Sequence, residues 1–170
     1  MRVRAGGLAR SRALAVAGSV LLALAPVAPG ADGQGRRVVD LVTVGDRSSE
    51  WAHEYAGVGA TEGVIEGRSF RQARGWLRYS LSVYEDSEIT LDCTFRGTEG
   101  HKLVFDLLVE GRKVLTHSFV TPSAAPASLE FRLPRSHTKN LTSISVTLRG
   151  VDGPTPGLIE LRTLQEHLER

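Results

Sequence analysis

Two groups of side chains in this sequence combine flat rings with planar hydrogen-bond donors. Trp51, His53 and Tyr55 alternate with Ala52 and Glu54, so an extended segment would present the three rings on one face. Arg68, Arg71 and Arg74 follow at a spacing of three in the run GRSFRQARGWLRYSLSV, which leads into Trp76. Aromatic faces pack against the C–H faces of sugar rings, and guanidinium forks donate in-plane hydrogen bonds to hydroxyls and carboxylates. Trp51, His53, Tyr55, Arg68, Arg71 and Trp76 are therefore the candidate ligand-binding residues, with a polysaccharide or glycan as the ligand they suit. The competing reading is structural: an arginine beside an aromatic ring often covers a sheet edge while its guanidinium satisfies loop carbonyls.

Catalytic patterns are missing. The sequence holds no G-x-S-x-G elbow, H-E-x-x-H helix, C-x-x-C pair or phosphate-cradling glycine loop. The five histidines stand singly, without metal-ligand spacing. Glu85, Asp86 and Glu88 follow a strand pattern and read as a solvated turn, and Asp152 sits in a loop. A small hydrolase would have to assemble Asp106, His53 and Glu62 from separate elements. The expectation is a protein that is not an enzyme, with no catalytic residues, no metal and no cofactor.

The N-terminus has Arg2, Arg4, Arg10 and Arg12, then an apolar run from Ala13 to Ala25, then small residues at Ala28, Gly30 and Ala31. That is the layout of a secretory signal peptide, with an apolar run too short to cross a membrane. Residues 1–33 are expected to be a leader and residues 34–168 a single domain, secreted or periplasmic and free of the membrane after cleavage. The leader also decides the charge argument. The whole chain has 21 basic and 19 acidic residues, but residues 1–30 hold four arginines and no acid, leaving 17 against 19, a formal charge of −2. Nucleic acid is excluded as the expected partner. One cysteine, Cys93, permits no intramolecular disulfide, so the domain must be held by packing.

The patterning is all-β. Leu77, Tyr79, Leu81 and Val83 alternate with Trp76, Arg78, Ser80 and Ser82, and Ile89, Leu91, Cys93 and Phe95 alternate likewise. Cys93 is thereby a small core residue rather than a nucleophile. Leu103–Val109 is apolar on both faces apart from Asp106, and Glu110-Gly111 predicts a two-residue hairpin into Lys113–Val120. Val38–Val44, Leu129–Leu133, Ile144–Leu148 and Leu158–Leu164 supply further strands, while Leu161, Leu164 and Leu168 would also suit a short terminal helix. About eight or nine short strands with Gly/Pro punctuation predict a two-sheet β-sandwich or jelly roll. Asn140-Leu141-Thr142 fits a glycosylation acceptor and is read as a turn.

In order along the chain stand Asp40-Leu41-Val42, Gly45-Asp46, Ser49-Glu50, His53, Thr61-Glu62-Gly63, GRSFRQARGWLRYSL and LVFDLLVEGRKVLTHSF. Over residues 38–164 this series resembles the C-terminal accessory β-sandwich domain, of unknown function, of β-L-arabinofuranosidase-like glycoside hydrolase family 127 enzymes, here as a stand-alone secreted chain. The run departs from that pattern at Phe70, where tryptophan is common, and at Gln72, where aspartate is common. The resemblance implies that chemistry belongs to a separate helical barrel with a cysteine nucleophile and zinc, for which this chain has no room. Cys93 falls in the accessory part and does not inherit that role. The implied protein is a non-catalytic module associated with glycoside hydrolysis, which binds carbohydrate weakly or supports a separate glycosidase. The alternative is a protein-docking domain with no glycan ligand. In either case the arginine-rich run would be an irregular segment feeding a strand, with Tyr79 and Leu81 in the core.

Overall fold

A computed structural model describes residues 36–166. The expected leader and Leu168 of the expected terminal helix lie outside the described residues. The elements in order are β1 (Arg36–Thr43), α1 (Arg47–Ala52), β2 (Ala56–Ile65), β3 (Arg68–Ser82), β4 (Ile89–Phe95), β5 (Leu103–Val109), β6 (Arg112–Phe119), β7 (Ala127–Leu133), a 3-10 turn (Arg135–His137), β8 (Ser143–Gly150) and β9 (Leu158–Glu166).

All strand pairs among the described residues are antiparallel. The ladder runs β6-β5-β8-β3-β9-β4-β7, with β1 beside β9 and β2 beside β3. Strands β3 and β9 register only through Arg71 and Leu158, and there the ladder folds over on itself. One sheet is then β2-β3-β8-β5-β6 and the other β1-β9-β4-β7, which is the expected jelly-roll sandwich.

The core lies between them. Phe105 of β5 meets Phe95 of β4 at 5.7 Å and Phe131 of β7 at 6.3 Å between ring centroids, bringing the two layers into contact. The inward rows expected from alternation are buried, including Leu77, Tyr79, Leu81, Leu91 and Phe95. Each such side chain contributes on the order of 1.5–3 kcal/mol through burial. Cys93 is fully buried among them, and burial, reinforced by the neighbouring charge of Asp92, pushes its thiol well above the ordinary range.

Two expectations change. The arginine-rich run is not irregular: it is the first half of a 15-residue strand, paired along its length with β2. Glu66 and Gly67 join them with both φ angles positive, at 50° and 74°, as a tight hairpin needs. Glycine hides β2 in the sequence for a packing reason. A Cβ on Gly63 would lie 2.3 Å from Cζ of Phe70, the ring that covers it from β3. The terminal helix is also replaced, since β9 continues as strand through Leu161 and Leu164 to Glu166. Its pairing with both β1 and β4 gives its backbone groups more partners than an isolated turn of helix would.

Candidate functional site

Trp51, His53 and Tyr55 do not form the single extended row, because a short helix intervenes. The Asp46 carboxylate accepts from the Ser48 and Ser49 N–H groups at 2.8 and 3.0 Å, satisfying donors that would otherwise open the helix start. The six residues of α1 then turn Trp51 outward and bring Glu50 inward.

Glu50 is 5 % exposed and fully engaged. Its Oε1 accepts from Arg71 Nε at 2.5 Å and its Oε2 from Arg71 Nη2 at 2.7 Å, a fork-to-fork pair. The Gly45 N–H and the Tyr79 hydroxyl donate to Oε1 at 3.2 and 3.3 Å. Burial alone would raise the Glu50 carboxyl, but Arg71 and these donors outweigh it and hold it below its usual range. Arg71 is raised in turn, first by its hydrogen bonds to Glu50. The Arg71 guanidinium also lies 4.7 Å from the Tyr55 ring centroid, and Tyr55 packs on Tyr79 at 5.2 Å. Burial is the first cause raising the hydroxyls of Tyr55 and Tyr79. Arg71 is thus a tie between β3 and α1, with its donor fork spent inside the protein.

His53 is likewise held. Its Nδ1 lies 2.6 Å from the Ser49 carbonyl oxygen and its Nε2 3.1 Å from Asp40 Oδ1. Asp40 accepts the Ser82 N–H at 2.6 Å, and the His53 carbonyl accepts the Ser80 N–H at 2.7 Å. Helix α1 is therefore clamped to β1 and β3 from both ends. Arg68 stands apart, reaching Glu160 at 3.4 Å beside a smaller pocket formed by Thr43, Gly45, Asp46 and Ser69.

What remains free is an open cleft of about 890 Å³ lined by Arg47, Glu50, Trp51, Glu54, Tyr55, Ala56 and Arg78. Trp51 is 88 % exposed at its rim. Arg78 reaches from the cleft over the Trp76 ring, 5.7 Å from its centroid, on the solvent face of β3. The structure brings Trp51 and Tyr55 together in the cleft and joins Trp76 to it through Arg78. It places His53 and Arg71 behind the cleft and Arg68 elsewhere. Arg78 and Arg47 are not among the residues that spacing singled out. Their signals are nonetheless present: Arg78 has the parity of Trp76 in an alternating strand, and Arg47 precedes Trp51 by one helical turn.

The groups a hydrolase would need are engaged separately. Asp106 accepts from Thr116 Oγ1 at 2.6 Å and Arg149 Nη2 at 2.7 Å, and these two donors are the leading causes that hold its carboxyl low. Glu62 lies 3.4 Å from Arg71, and His53 bonds Asp40. Among the described residues no cluster of three or more His, Cys, Asp or Glu side chains is arranged to hold a metal ion. No described helix is long and apolar enough to cross a membrane.

Solved structures share this architecture. A family 35 carbohydrate-binding module from Clostridium thermocellum superimposes with a TM-score of 0.50 at 11 % identity, covering 75 % of this chain and 96 % of that one. The family 35 module of Cellvibrio japonicus Abf62 gives 0.50 at 13 % identity, covering 74 % and 95 %. An exo-β-1,3-galactanase from Phanerochaete chrysosporium gives 0.53 at 11 % identity, covering 76 % of this chain but 29 % of the enzyme. At such identities the likeness is one of fold. No curated protein matches the chain in sequence. Residues 35–164 match the family of unknown function DUF6805, and the chain belongs to that family.

Proposed function

We propose that the protein is an exported, non-catalytic module, spanning residues 34–168, that binds carbohydrate at the Trp51 cleft and thereby supports glycan breakdown by a separate glycosidase. The observation that carries this reading is Trp51, 88 % exposed on a helix that is clamped rather than loose. Leaving so much apolar ring in water costs hydrophobic free energy that burial would recover, and a rigid exposed ring loses little entropy when a flat partner lands on it. Sugar C–H faces are such partners, and Arg47, Glu54 and Arg78 stand around the ring to take hydroxyls. The likeness to carbohydrate-binding modules and the resemblance to glycosidase accessory domains point the same way.

Retardation of the purified protein in gels cast with neutral and acidic plant polysaccharides, arabinose-containing polymers among them, tests the proposal. Retention that Trp51→Ala abolishes supports it, and absence of retention on every polymer rejects it. A docking reading draws on a different feature, the edge strand β2, where Val58 and Val64 are 53 % and 67 % exposed. It expects Val64→Glu to prevent capture of a helical-barrel glycosidase, and expects no polysaccharide to retard the protein.

A further inference from the structure

The solvent face of the first sheet continues the cleft. Cross-strand partners share a face. Trp76 of β3 pairs with Val58 of β2 and Arg149 of β8, Arg149 pairs with Asp106 of β5, and Asp106 pairs with Thr116 of β6. These five residues therefore form one row across the sheet. At the usual strand spacing of roughly 4.8 Å the row is about 19 Å long, several times the width of one sugar ring. The row beside it carries Ala56, Arg78, Thr147, Leu108 and Lys113. Arg78 belongs to this second row, lies over Trp76 and also lines the Trp51 cleft, so cleft and rows meet without a gap.

The charges along this path are unbalanced. Arg47, Arg78, Arg149 and Lys113 supply the cations. Outside the closed Glu50–Arg71 fork the carboxylates are Glu54 and Asp106. Asp106 is already committed to Arg149 and Thr116, with Lys113 at 3.6 Å. Arg149 nevertheless leaves 49 % of its side chain exposed, so part of its donor fork still faces solvent. Arg47 and Arg78 form no ion pair among the described residues.

We propose that the cleft and this sheet face form one track for an extended, carboxylate-bearing polysaccharide strand, a polyuronate bound along several sugar units from Trp51 toward Lys113. The proposal rests on the carbohydrate-binding reading above. Aromatic rings would carry the sugar faces, and the arginine forks would take carboxylates in the two-point geometry that suits them.

The test titrates the full chain calorimetrically with α-1,4-linked oligogalacturonides of increasing length, then with polygalacturonate and its methyl ester. Affinity is expected to rise about tenfold or more from dimer to pentamer and to fall by a similar factor on esterification. Arg149→Ala and Arg78→Ala, each confirmed folded by thermal unfolding, should weaken the pentamer more than the dimer. Equal affinity for dimer and pentamer, or for polymer and ester, overturns the proposal. So does dextran sulfate binding as tightly as polygalacturonate, which would mean polyanion attraction alone. Retention on neutral polysaccharides only would overturn the track and leave the carbohydrate reading standing, whereas no binding to any glycan would remove both.

Discussion

Replacing Arg71 by alanine cuts the tie that holds α1, and with it Trp51, against the sandwich. The substitution removes both charged donors to Glu50 and leaves that 5 % exposed carboxylate with the Gly45 N–H and the Tyr79 hydroxyl. It also removes the guanidinium packed at 4.7 Å over Tyr55. Breaking a buried pair by deleting one partner costs roughly 3–5 kcal/mol, and the two surviving donors place this case near about 3 kcal/mol. Urea unfolding followed by tryptophan fluorescence reads the loss. The effect should depend on pH with a definite sign. Glu50 is held below its ordinary value in the folded protein, so its contribution is complete above the unfolded value near 4.5 and fades as pH falls through the lower folded one. The gap between wild type and Arg71→Ala should accordingly shrink on acidification below that point. A loss under about 1 kcal/mol at neutral pH, the size of an exposed pair, would refute the claim that the fork is a structural clamp.

Gly63→Ala should destabilise the fold by about 1–3 kcal/mol in thermal unfolding, because its new methyl would meet the Phe70 ring within contact distance. Asp46→Ala should cost about 1 kcal/mol and reduce glycan retention, since it removes the acceptor for two N–H groups at the start of α1. Cys93, fully buried with its thiol raised by burial, should react with a thiol-specific probe only at the rate of unfolding; rapid labelling of folded protein would contradict its place in the core.

The long strands are legible in the sequence because their two faces differ. Tyr79 and Leu81 alternate with Ser80 and Ser82, and that difference in polarity is what a half-buried strand requires. Strand β2 is not, since Gly57, Gly59 and Gly63 sit where side chains would have shown the alternation. Helix α1 is a turn and a half, too short for hydrophobic periodicity to register, although Asp46 before Ser48 and Ser49 is a fair cap signal. The site divides along the same line. Which residue types gather near Trp51 can be read from spacing. That Arg71 spends its fork on Glu50, 21 positions earlier, and His53 its ring on Asp40, 13 positions earlier, depends on the fold. Arginine and histidine look alike in sequence whether they face a ligand or a buried carboxylate.

Affinity electrophoresis of wild type and Trp51→Ala through polysaccharide-containing gels is the sharpest test of glycan binding at the Trp51 cleft. With the indole 88 % exposed, its removal should change folding stability by no more than about 0.5 kcal/mol. Wild type should be retarded by at least one polysaccharide, and Trp51→Ala should run free with an unchanged unfolding midpoint. Unretarded wild type, or a Trp51→Ala variant held back as strongly as wild type, would contradict it.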